Sequence, residues 1–222
     1  VLFVLAAGLA LASPAGAGSS THFSTIPGTE FAWQLTWIGE NWLLSFPVNS
    51  SQVDYSSPPD ASLFADYVNL PAMVLTDLQD QGAFLTATLS PTGPFTLVSD
   101  TDDQTVLTAA MAQRSSLFIG TNYIAYSNIA DDLDITGSVP AYSSVIDDAV
   151  AADAAGIPID ISFSGNAAGG VDLVSLLRTT DGTAPLSGSS LNGQITIIPI
   201  PGAVLLVAIG VLGVDFLRRR GM

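Results

Sequence analysis

Cysteine and lysine are absent from the 222 residues, and histidine occurs once, as His22. Without cysteine, the chain has no disulfide framework, thiol nucleophile or thiolate metal site. A Ser-His-Asp triad would depend on His22, which follows the N-terminal apolar segment in a stretch that we expect to be mobile. A zinc hydrolase lacks nitrogen and sulfur ligands, and a phosphate-binding loop lacks its lysine. The sequence therefore assigns no catalytic residue and does not predict an enzyme.

Positive charge is also scarce, and the formal net charge is -15. All but one of the 20 acidic residues lie between Gly18 and Ile198, together with only two of the five arginines. A surface of this sign repels a phosphate backbone, so we expect no nucleic-acid partner.

The N-terminus is an uncharged apolar run, VLFVLAAGLALA, followed by Ser-Pro and the small residues Ala15-Gly16-Ala17. An apolar segment followed by a small-residue cleavage site is typical of a secretory signal peptide. We therefore predict a signal peptide over residues 1–17, cleavage after Ala17 and export of the remainder, with Ala10-Leu11-Ala12 as an alternative cleavage site.

The C-terminus contains a second apolar run, interrupted by Asp215 and followed by Arg218, Arg219 and Arg220. The 19 residues from Pro199 to Leu217 would span about 28 Å as a helix, close to the thickness of the bilayer hydrocarbon. Arginines favour the cytoplasmic side of a membrane. We therefore predict a transmembrane helix over residues 201–217 that holds the body outside the cytoplasm.

The order of parts in this tail resembles a known sorting signal. A short proline motif, Ile198-Pro199-Ile200-Pro201-Gly202, precedes the apolar run and the arginine cluster. This arrangement resembles the PEP-CTERM family, in particular its VPLPA-type variant, with Ile at the Val and Leu positions and Gly202 where Ala is usual. The resemblance, limited to about the last 25 residues, implies a Gram-negative surface protein. It also implies an exosortase-like membrane peptidase that cuts near the motif, and an association with exopolysaccharide.

Between these ends, short apolar or alternating runs are separated every eight to twelve residues or so by Gly, Pro, Asp, Asn and Ser, which favours an all-β sandwich or barrel. We predict a mainly β fold, with a single sandwich or jelly-roll-like domain over residues 18–197. The predicted strands are Glu30–Ile38, Asn41–Val48, Gly82–Leu89, Phe95–Ser99, Leu117–Tyr126, Ile157–Phe163, Val171–Arg178 and Gly193–Ile198. The predicted helices are Asp60–Tyr67, Thr105–Arg114 and Tyr142–Ala155.

Tryptophan is concentrated in one stretch, as Trp33, Trp37 and Trp42. Alternation places Phe31, Trp33, Leu35 and Trp37 on one face of a strand, which favours burial in the core. The alternative is that exposed tryptophans stack on sugar rings.

Clustered aspartates are the remaining chemical feature. Asp132, Asp134 and Thr136 match positions one, three and five of an EF-hand loop, and Gly137 matches position six. Position twelve would be Ser143 instead of the bidentate glutamate, so we consider only a looser calcium site, against the alternative of solvated turn aspartates.

Three functions remain after these exclusions. The leading one is an exported structural or adhesive protein of the cell surface or matrix. The second is a calcium-dependent carbohydrate-binding module. The third is a glycosidase that uses a pair of carboxylates, for which no pair is singled out.

Overall fold

The computed structural model describes residues 19–113, 115–127, 133–179 and 185–198. Within these ranges the chain is mainly β, and its strands form one curled antiparallel sheet around a shared apolar core. Residues Ser19–Ile197 make one compact unit. The predicted signal peptide and the predicted transmembrane helix lie outside the described residues.

The strands of the described chain are short and closely spaced. They are β1 (Ser20–Thr25), β2 (Trp33–Trp37), β3 (Trp42–Ser45), β4 (Ser51–Ser57), β5 (Tyr67–Asn69), β6 (Met73–Asp80), β7 (Leu85–Pro91), β8 (Phe95–Val98), β9 (Thr105–Met111), β10 (Ser115–Ile119), β11 (Tyr123–Ser127), β12 (Leu133–Ser138), β13 (Ile159–Asn166), β14 (Leu186–Gly188) and β15 (Asn192–Ile197). The helices are α1 (Ser144–Ala154) and α2 (Leu173–Thr179), with short 3-10 turns at Ala61–Leu63 and Ala168–Gly170.

The first and last strands of the described chain are neighbours near the middle of the sheet. The order across the sheet is β12-β9-β8-β5-β4-β1-β15-β13-β11-β10-β7-β6-β3-β2-β14. In the pairing of β1 with β15, Ser20 faces Thr196. The Ile197 N–H also donates to the Ser19 carbonyl oxygen over 3.0 Å. Both ends of the described domain therefore leave the same end of the sheet.

Contacts between strands that are distant in this order show that the sheet curls. The edge strand β12 contacts β13 near the middle of the order. Phe46, just after β3, packs edge-on against Phe163 of β13, with ring centroids 5.5 Å apart. The inward faces of these strands thus share one core.

Alternation of apolar and hydroxyl side chains explains why the strands form. In β7, Leu85, Ala87 and Leu89 are buried, whereas Thr86 and Thr88 are only partly buried on the other face. Side chains of a strand point alternately to its two faces, so a period of two buries one set. Burying each leucine fully contributes about 1.5–3 kcal/mol.

Trp33 occupies the centre of the packing around β2 and β14. It is fully buried, and its indole N–H donates to the Ser190 carbonyl oxygen over 3.2 Å. A Cβ at Gly188 would lie 2.0 Å from the indole ring, so the absence of a side chain there gives the ring its space. Trp33 and Leu35 confirm the predicted buried face, and Trp37 is partly buried against the same core.

Helix α1 has a capping residue at its start and a glycine just after its end. The Ser143 hydroxyl accepts from the Val145 N–H at the N-terminus over 3.2 Å, and an Asp60 carboxylate oxygen accepts from the Ser144 N–H over 2.9 Å. Gly156 follows the C-terminus with a φ of +66°, a left-handed conformation that glycine adopts without steric cost. The helix predicted in this part of the chain is confirmed.

The helix predicted over Thr105–Arg114 is wrong, because residues Thr105–Met111 form β9. Alanine favours helices, but β9 is paired on both sides, with β8 and β12. Val106 and Ala109 are fully buried there. Tertiary pairing and burial override a helix propensity of a few tenths of a kcal/mol per residue.

The strand predicted over Val171–Arg178 is also wrong, because this segment forms α2. Leu173, Val174 and Leu177 are its buried residues, a spacing that fits one face of a helix. An Asp172 carboxylate oxygen accepts from the Ser175 N–H over 3.0 Å and caps the first turn. A short apolar run fits both periods, and the cap decides between them.

Some of the other predicted strands and helices are present in the structure and some are not. The strands predicted around β2, β3, β7, β8, β13 and β15 are present, whereas Leu117–Tyr126 is a hairpin of β10 and β11. The helix predicted over Asp60–Tyr67 is reduced to the 3-10 turn Ala61–Leu63. The segment around His22 was expected to be mobile, and this prediction is wrong. The segment forms β1, which pairs with β15 on one side and with β4 on the other. Strands β1, β4, β5, β6, β12 and β14 were not predicted.

Candidate functional site

The outward face of β4, β1, β15 and β13 carries a row of polar and aromatic side chains. In the registers of these strands, His22 lies opposite Tyr55 on one side and Gln194 on the other, and Gln194 lies opposite Ser162. The inward neighbour, Phe23, is buried in the core. The sheet thus separates an apolar inner layer from an outer face of hydroxyl, amide and imidazole groups.

A β-bulge in β4 places two consecutive side chains on this outer face. His22 pairs with Tyr55, but Phe23 pairs with Val53, so Asp54 is an extra residue in β4. Asp54 and Tyr55 are both exposed, Tyr55 by 48%. In a regular strand one of the two would point into the core. Bulges commonly redirect side chains in this way beside functional sites.

The bulge borders a shallow groove that is open to solvent, which we call the central groove. It has a volume of about 600 Å³ and is lined by His22, Phe23, Asp54, Tyr55, Asn192 and Gly193. The rings of His22 and Tyr55 are tilted by 54° with centroids 5.6 Å apart. A Cβ at Gly193 would lie 2.2 Å from the Phe23 ring, so this glycine lets β15 lie flat over the core.

The groups in the central groove can hold a hydroxylated ligand. Asp54 offers a carboxylate, Asn192 an amide, and Tyr55 a phenol whose ring is about half exposed. Carboxylates and amides form hydrogen bonds with hydroxyl groups, while an aromatic ring covers apolar C–H surface. The groove thus combines the two kinds of contact that a polyhydroxylated ligand needs.

In comparisons with known proteins, no family model, curated sequence or solved structure matches this chain.

The tail predicted from the sequence falls almost wholly outside the described residues. Ile198 lies directly after β15 and is partly buried. Pro199, Ile200, Pro201 and Gly202 lie outside the described residues, as do Arg218, Arg219 and Arg220. In the described part of the chain, no helix is long and apolar enough to cross a membrane.

A second group of polar residues lies where three loops meet, at Asp60–Asp66, Ser99–Gln104 and Ala141–Ser144. We call it the acidic loop cluster. Asp60 accepts from the Ser62 hydroxyl over 2.6 Å and from the hydroxyls of Ser143 and Ser144 over 2.9 Å each. The hydrogen bond from Ser62, with those from Ser143 and Ser144, holds the pKa of Asp60 well below its usual range. Asp60 thereby ties its turn to the start of α1.

Asp66 is the buried member of the acidic loop cluster, with no exposed surface. Its carboxylate accepts from the Tyr142 hydroxyl over 2.9 Å and from the Asp100 N–H over 3.3 Å. Burial raises the pKa of Asp66, the two hydrogen bonds oppose this, and the nearby carboxylates of Asp100 and Asp102 add to the rise. A carboxylate enclosed in this way holds loops together and offers no surface to a substrate.

Of the predicted calcium ligands, two are described and both lie on the edge strand β12. Asp134 is exposed opposite Ala110, and the hydroxyl of the exposed Thr136 donates to the Thr108 carbonyl oxygen over 3.3 Å. Asp132 lies outside the described residues. Within the described ranges, no three acidic or histidine side chains are grouped closely enough to hold a metal ion.

The tryptophans give little support to sugar stacking. Trp33 is fully buried and Trp42 is 4% exposed, so for these two the core interpretation is confirmed. Trp37 packs edge-on against Trp42, with ring centroids 5.4 Å apart.

A different aromatic group lies on β10, β11 and the loop before β7. Phe84 stacks on Phe118 with centroids 4.4 Å apart, and Phe118 stacks on Tyr123 with centroids 5.7 Å apart. Phe118 is thus in ring contact with both neighbours. Tyr123 is 38% exposed. It is therefore an exposed tyrosine outside the central groove, with which the role of Tyr55 can be compared.

Arg178 on α2 forms a two-pronged ion pair with Asp80. Its Nε donates to one carboxylate oxygen over 2.7 Å and its Nη2 to the other over 2.6 Å, and Nη2 also donates to the Gly82 carbonyl oxygen. The hydrogen bonds from Arg178 lower the pKa of Asp80, and those to Asp80 raise the pKa of Arg178. The cation is paired with Asp80 and is not among the residues that line the central groove.

Sequence reasoning singled out His22 only to dismiss it, and missed Asp54, Tyr55 and Asn192. The extra residue in β4 is defined by its register against β1, a long-range property that no local motif encodes. One weak indication of this site was present in the sequence. Two consecutive residues that are often exposed, Asp54 and Tyr55, interrupt the alternation of the strand sequence SQVDYSS.

Proposed function

We propose that this chain is an exported cell-surface or matrix-associated protein with a structural or adhesive role, held by its tail and sorted by an exosortase-like peptidase. The apolar segment of residues 1–17 would direct export, and residues 198–222 would hold the domain at the membrane until the peptidase cuts near Pro201. Its partners would be the membrane, the peptidase and an exopolysaccharide. No catalytic residue is part of the proposal.

The observation that carries this proposal is the position of the strand that precedes the tail. Strand β15 is paired with β1 on one side and with β13 on the other, along its whole length. A pull on the tail would therefore act on a strand held by two hydrogen-bonded ladders. A terminal strand at a sheet edge would have one ladder only. A domain that is displayed from a tether benefits from an attachment of this kind.

The chemistry of the described surface is compatible with a hydrated matrix. Arg178, paired with Asp80, is the only lysine or arginine among the described residues. Net negative charge favours solubility and repels nucleic acids. The outer face of the central strands is polar, with Gln52, Ser24 and Ser164 beside the central groove.

We further infer that the curled sheet is arranged as a two-layer sandwich of the jelly-roll type. The contact of β12 with β13 and the packing of Phe46 on Phe163 support two layers facing one core. Two sheets packed in this way are about 10 Å apart and interdigitate their inward side chains.

Fractionation of the native host, combined with intact-mass analysis, tests the proposed function. Protein expressed from the complete sequence should appear in the envelope or matrix as a product that starts near Gly18 and ends near Pro201. Deletion of residues 198–222, which leaves β15 intact, should release the domain into the medium. Full-length protein in the cytoplasm, with unprocessed ends, would contradict the proposal.

Replacing Arg218, Arg219 and Arg220 with alanine provides a finer comparison. If the arginines fix the tail in the membrane, this variant should be exported but processed less completely near Pro201. Processing identical to that of the unchanged chain would show that the arginine cluster is not part of the signal.

A further inference from the structure

We propose that the central groove binds a neutral glycan, with a sugar ring against Tyr55 and sugar hydroxyls hydrogen-bonded by Asp54 and Asn192. This inference rests on the proposed function, because it names the ligand through which a displayed domain would adhere. It requires no metal ion.

The bulge in β4 is the first argument. Without the extra residue, Asp54 and Tyr55 would point to opposite faces of the sheet, and one of them would enter the core. The bulge instead exposes both beside His22. Register shifts also interrupt the pairings of β6 with β7, β8 with β9 and β9 with β12, and the bulge in β4 is the one whose extra residue, Asp54, lines the central groove.

The exposed ring of Tyr55 is the second argument. Tyr55 is 48% exposed, and its ring is tilted against His22 instead of being stacked face to face. A tilted neighbour covers less of the ring than a stacked one does. The apolar C–H face of a pyranose can therefore lie on Tyr55, which is the general way in which aromatic rings contact sugars.

The polar groups define the rest of the ligand. The exposed carboxylate of Asp54 and the exposed amide of Asn192 lie around the same groove. A carboxylate accepts hydrogen bonds, and an amide both accepts and donates, so together they match neighbouring sugar hydroxyls. A peptide or a lipid offers few such hydroxyl pairs.

Charge favours a neutral glycan over an anionic one. Asp54 contributes a negative charge to the groove, and the net charge of the chain is -15. Arg178, the described cation, is engaged with Asp80. A polymer of uronic acids or sulfated sugars would be repelled before contact.

The size and shape of the groove suit part of a polymer. Its volume of about 600 Å³ is that of an open surface groove and not of the enclosed pocket that small molecules usually occupy. Because the groove is open instead of enclosed, the ends of a longer chain can continue past it on the polar outer face.

The test uses the full chain, purified in a detergent that contains no sugar. Its mobility is measured in native gels that contain a neutral polysaccharide (dextran or galactomannan) or an anionic polymer of uronic acid (alginate). Isothermal titration with neutral hexasaccharides gives the affinity. A neutral glycan should retard or bind the protein, and alginate should not.

Matched variants connect binding to the groove. Tyr55→Ala and Asn192→Ala should each weaken neutral-glycan binding about tenfold or more, the range typical of a central contact residue. Tyr123→Ala, an exposed tyrosine elsewhere, and Asp148→Asn, an exposed aspartate on α1, should leave binding unchanged. Circular dichroism and melting temperature check that every variant is folded.

Three results would overturn the inference: no binding of any neutral glycan, binding that Tyr55→Ala and Asn192→Ala leave unchanged, or a preference for alginate. Binding that disappears on addition of EDTA would likewise contradict a metal-independent site. Envelope localisation without glycan binding would refute the groove alone. Groove-dependent glycan binding by a protein found in the cytoplasm would refute the proposed function alone.

Discussion

Two aspartate–tyrosine pairs in this domain have the same chemical groups and opposite situations. Asp66 and Tyr142 are distant in the chain but joined by a hydrogen bond of 2.9 Å, with Asp66 fully buried. Asp54 and Tyr55 are consecutive and both exposed. The first pair satisfies itself and fixes loops, whereas the second offers its groups to solvent. Residue type therefore says little about role until burial and partners are known.

The largest effect should come from breaking the buried pair. Asp66→Ala removes the acceptor for the Tyr142 hydroxyl and the Asp100 N–H. Loss of this acceptor for two partly buried donors, together with the space that the fully buried side chain leaves, costs about 2–4 kcal/mol in the free energy of unfolding. Urea unfolding followed by tryptophan fluorescence measures the change. Asp54→Ala is the matched control and should change the midpoint far less.

If Asp66→Ala does not fold, Tyr142→Phe tests the same contact more gently. This variant removes only the hydroxyl, and we expect a loss of about 1–2 kcal/mol. Equal stabilities of Tyr142→Phe and the unchanged chain would show that the hydrogen bond to Asp66 does not hold the loops.

The next effect concerns the floor of the central groove. A Cβ at Gly193 would lie 2.2 Å from the Phe23 ring, which is buried. Gly193→Ala should therefore overpack this part of the core and cost about 1–3 kcal/mol. At Gly93 the nearest atom to an added Cβ, on Pro71, is 4.0 Å away, so Gly93→Ala is the control. A similar loss in both variants would argue against a tightly fitted floor.

Acid titration should separate two aspartates of the acidic loop cluster. Hydrogen bonds, first from Ser62, lower the pKa of Asp60 below its ordinary 3.8, so its stabilising contribution is present above that pH and is lost as the pH falls below it. Burial raises the pKa of Asp66 above 3.8. The folded state then binds the proton more tightly, so stability gained on protonating Asp66 is lost as the pH rises from 3.8 through the raised pKa.

Melting curves between about pH 3 and pH 7, the interval in which carboxylates titrate, test these opposite signs. The stability advantage of the unchanged chain over Asp60→Asn should shrink as the pH falls below 3.8. Its stability relative to Asp66→Asn should instead increase as the pH falls from neutral toward 3.8. Parallel curves for all three proteins would contradict both assignments.

The sequence predicted the class of the fold because apolar and polar residues alternate along many of its strands, and the apolar residues are the ones that are buried. It failed where pairing decided the outcome. The alanines of β9 favour a helix locally but lie between β8 and β12, and the apolar run of α2 fits either period until the Asp172 cap is seen. Strands made of serine and threonine, such as β1, were missed because polar side chains give little periodic signal.

The candidate site could not be predicted for a related reason. Its residues come from β1, β4 and β15, which are far apart in the chain and meet only in the sheet. The decisive feature, the extra residue Asp54, is a matter of register. The aromatic residues that the sequence offered for sugar stacking were Trp33, Trp37 and Trp42, for which alternation already favoured the core, and Trp33 and Trp42 are indeed buried.

The smallest effect on stability should come from replacing the exposed residues Asp54 and Tyr55. A small effect is expected because residues of a binding site contact the ligand and contribute little to packing. Asp54 and Tyr55 are exposed, and the ring of Tyr55 meets only a tilted neighbour, His22, among the described ring contacts. Tyr55→Ala and Asp54→Asn should therefore shift the melting temperature by less than about 2 °C. A stability loss as large as that of Tyr142→Phe would mean that the bulge serves the packing of β4 on β1. An unchanged melting temperature together with weakened glycan binding would mean that the bulge serves the ligand.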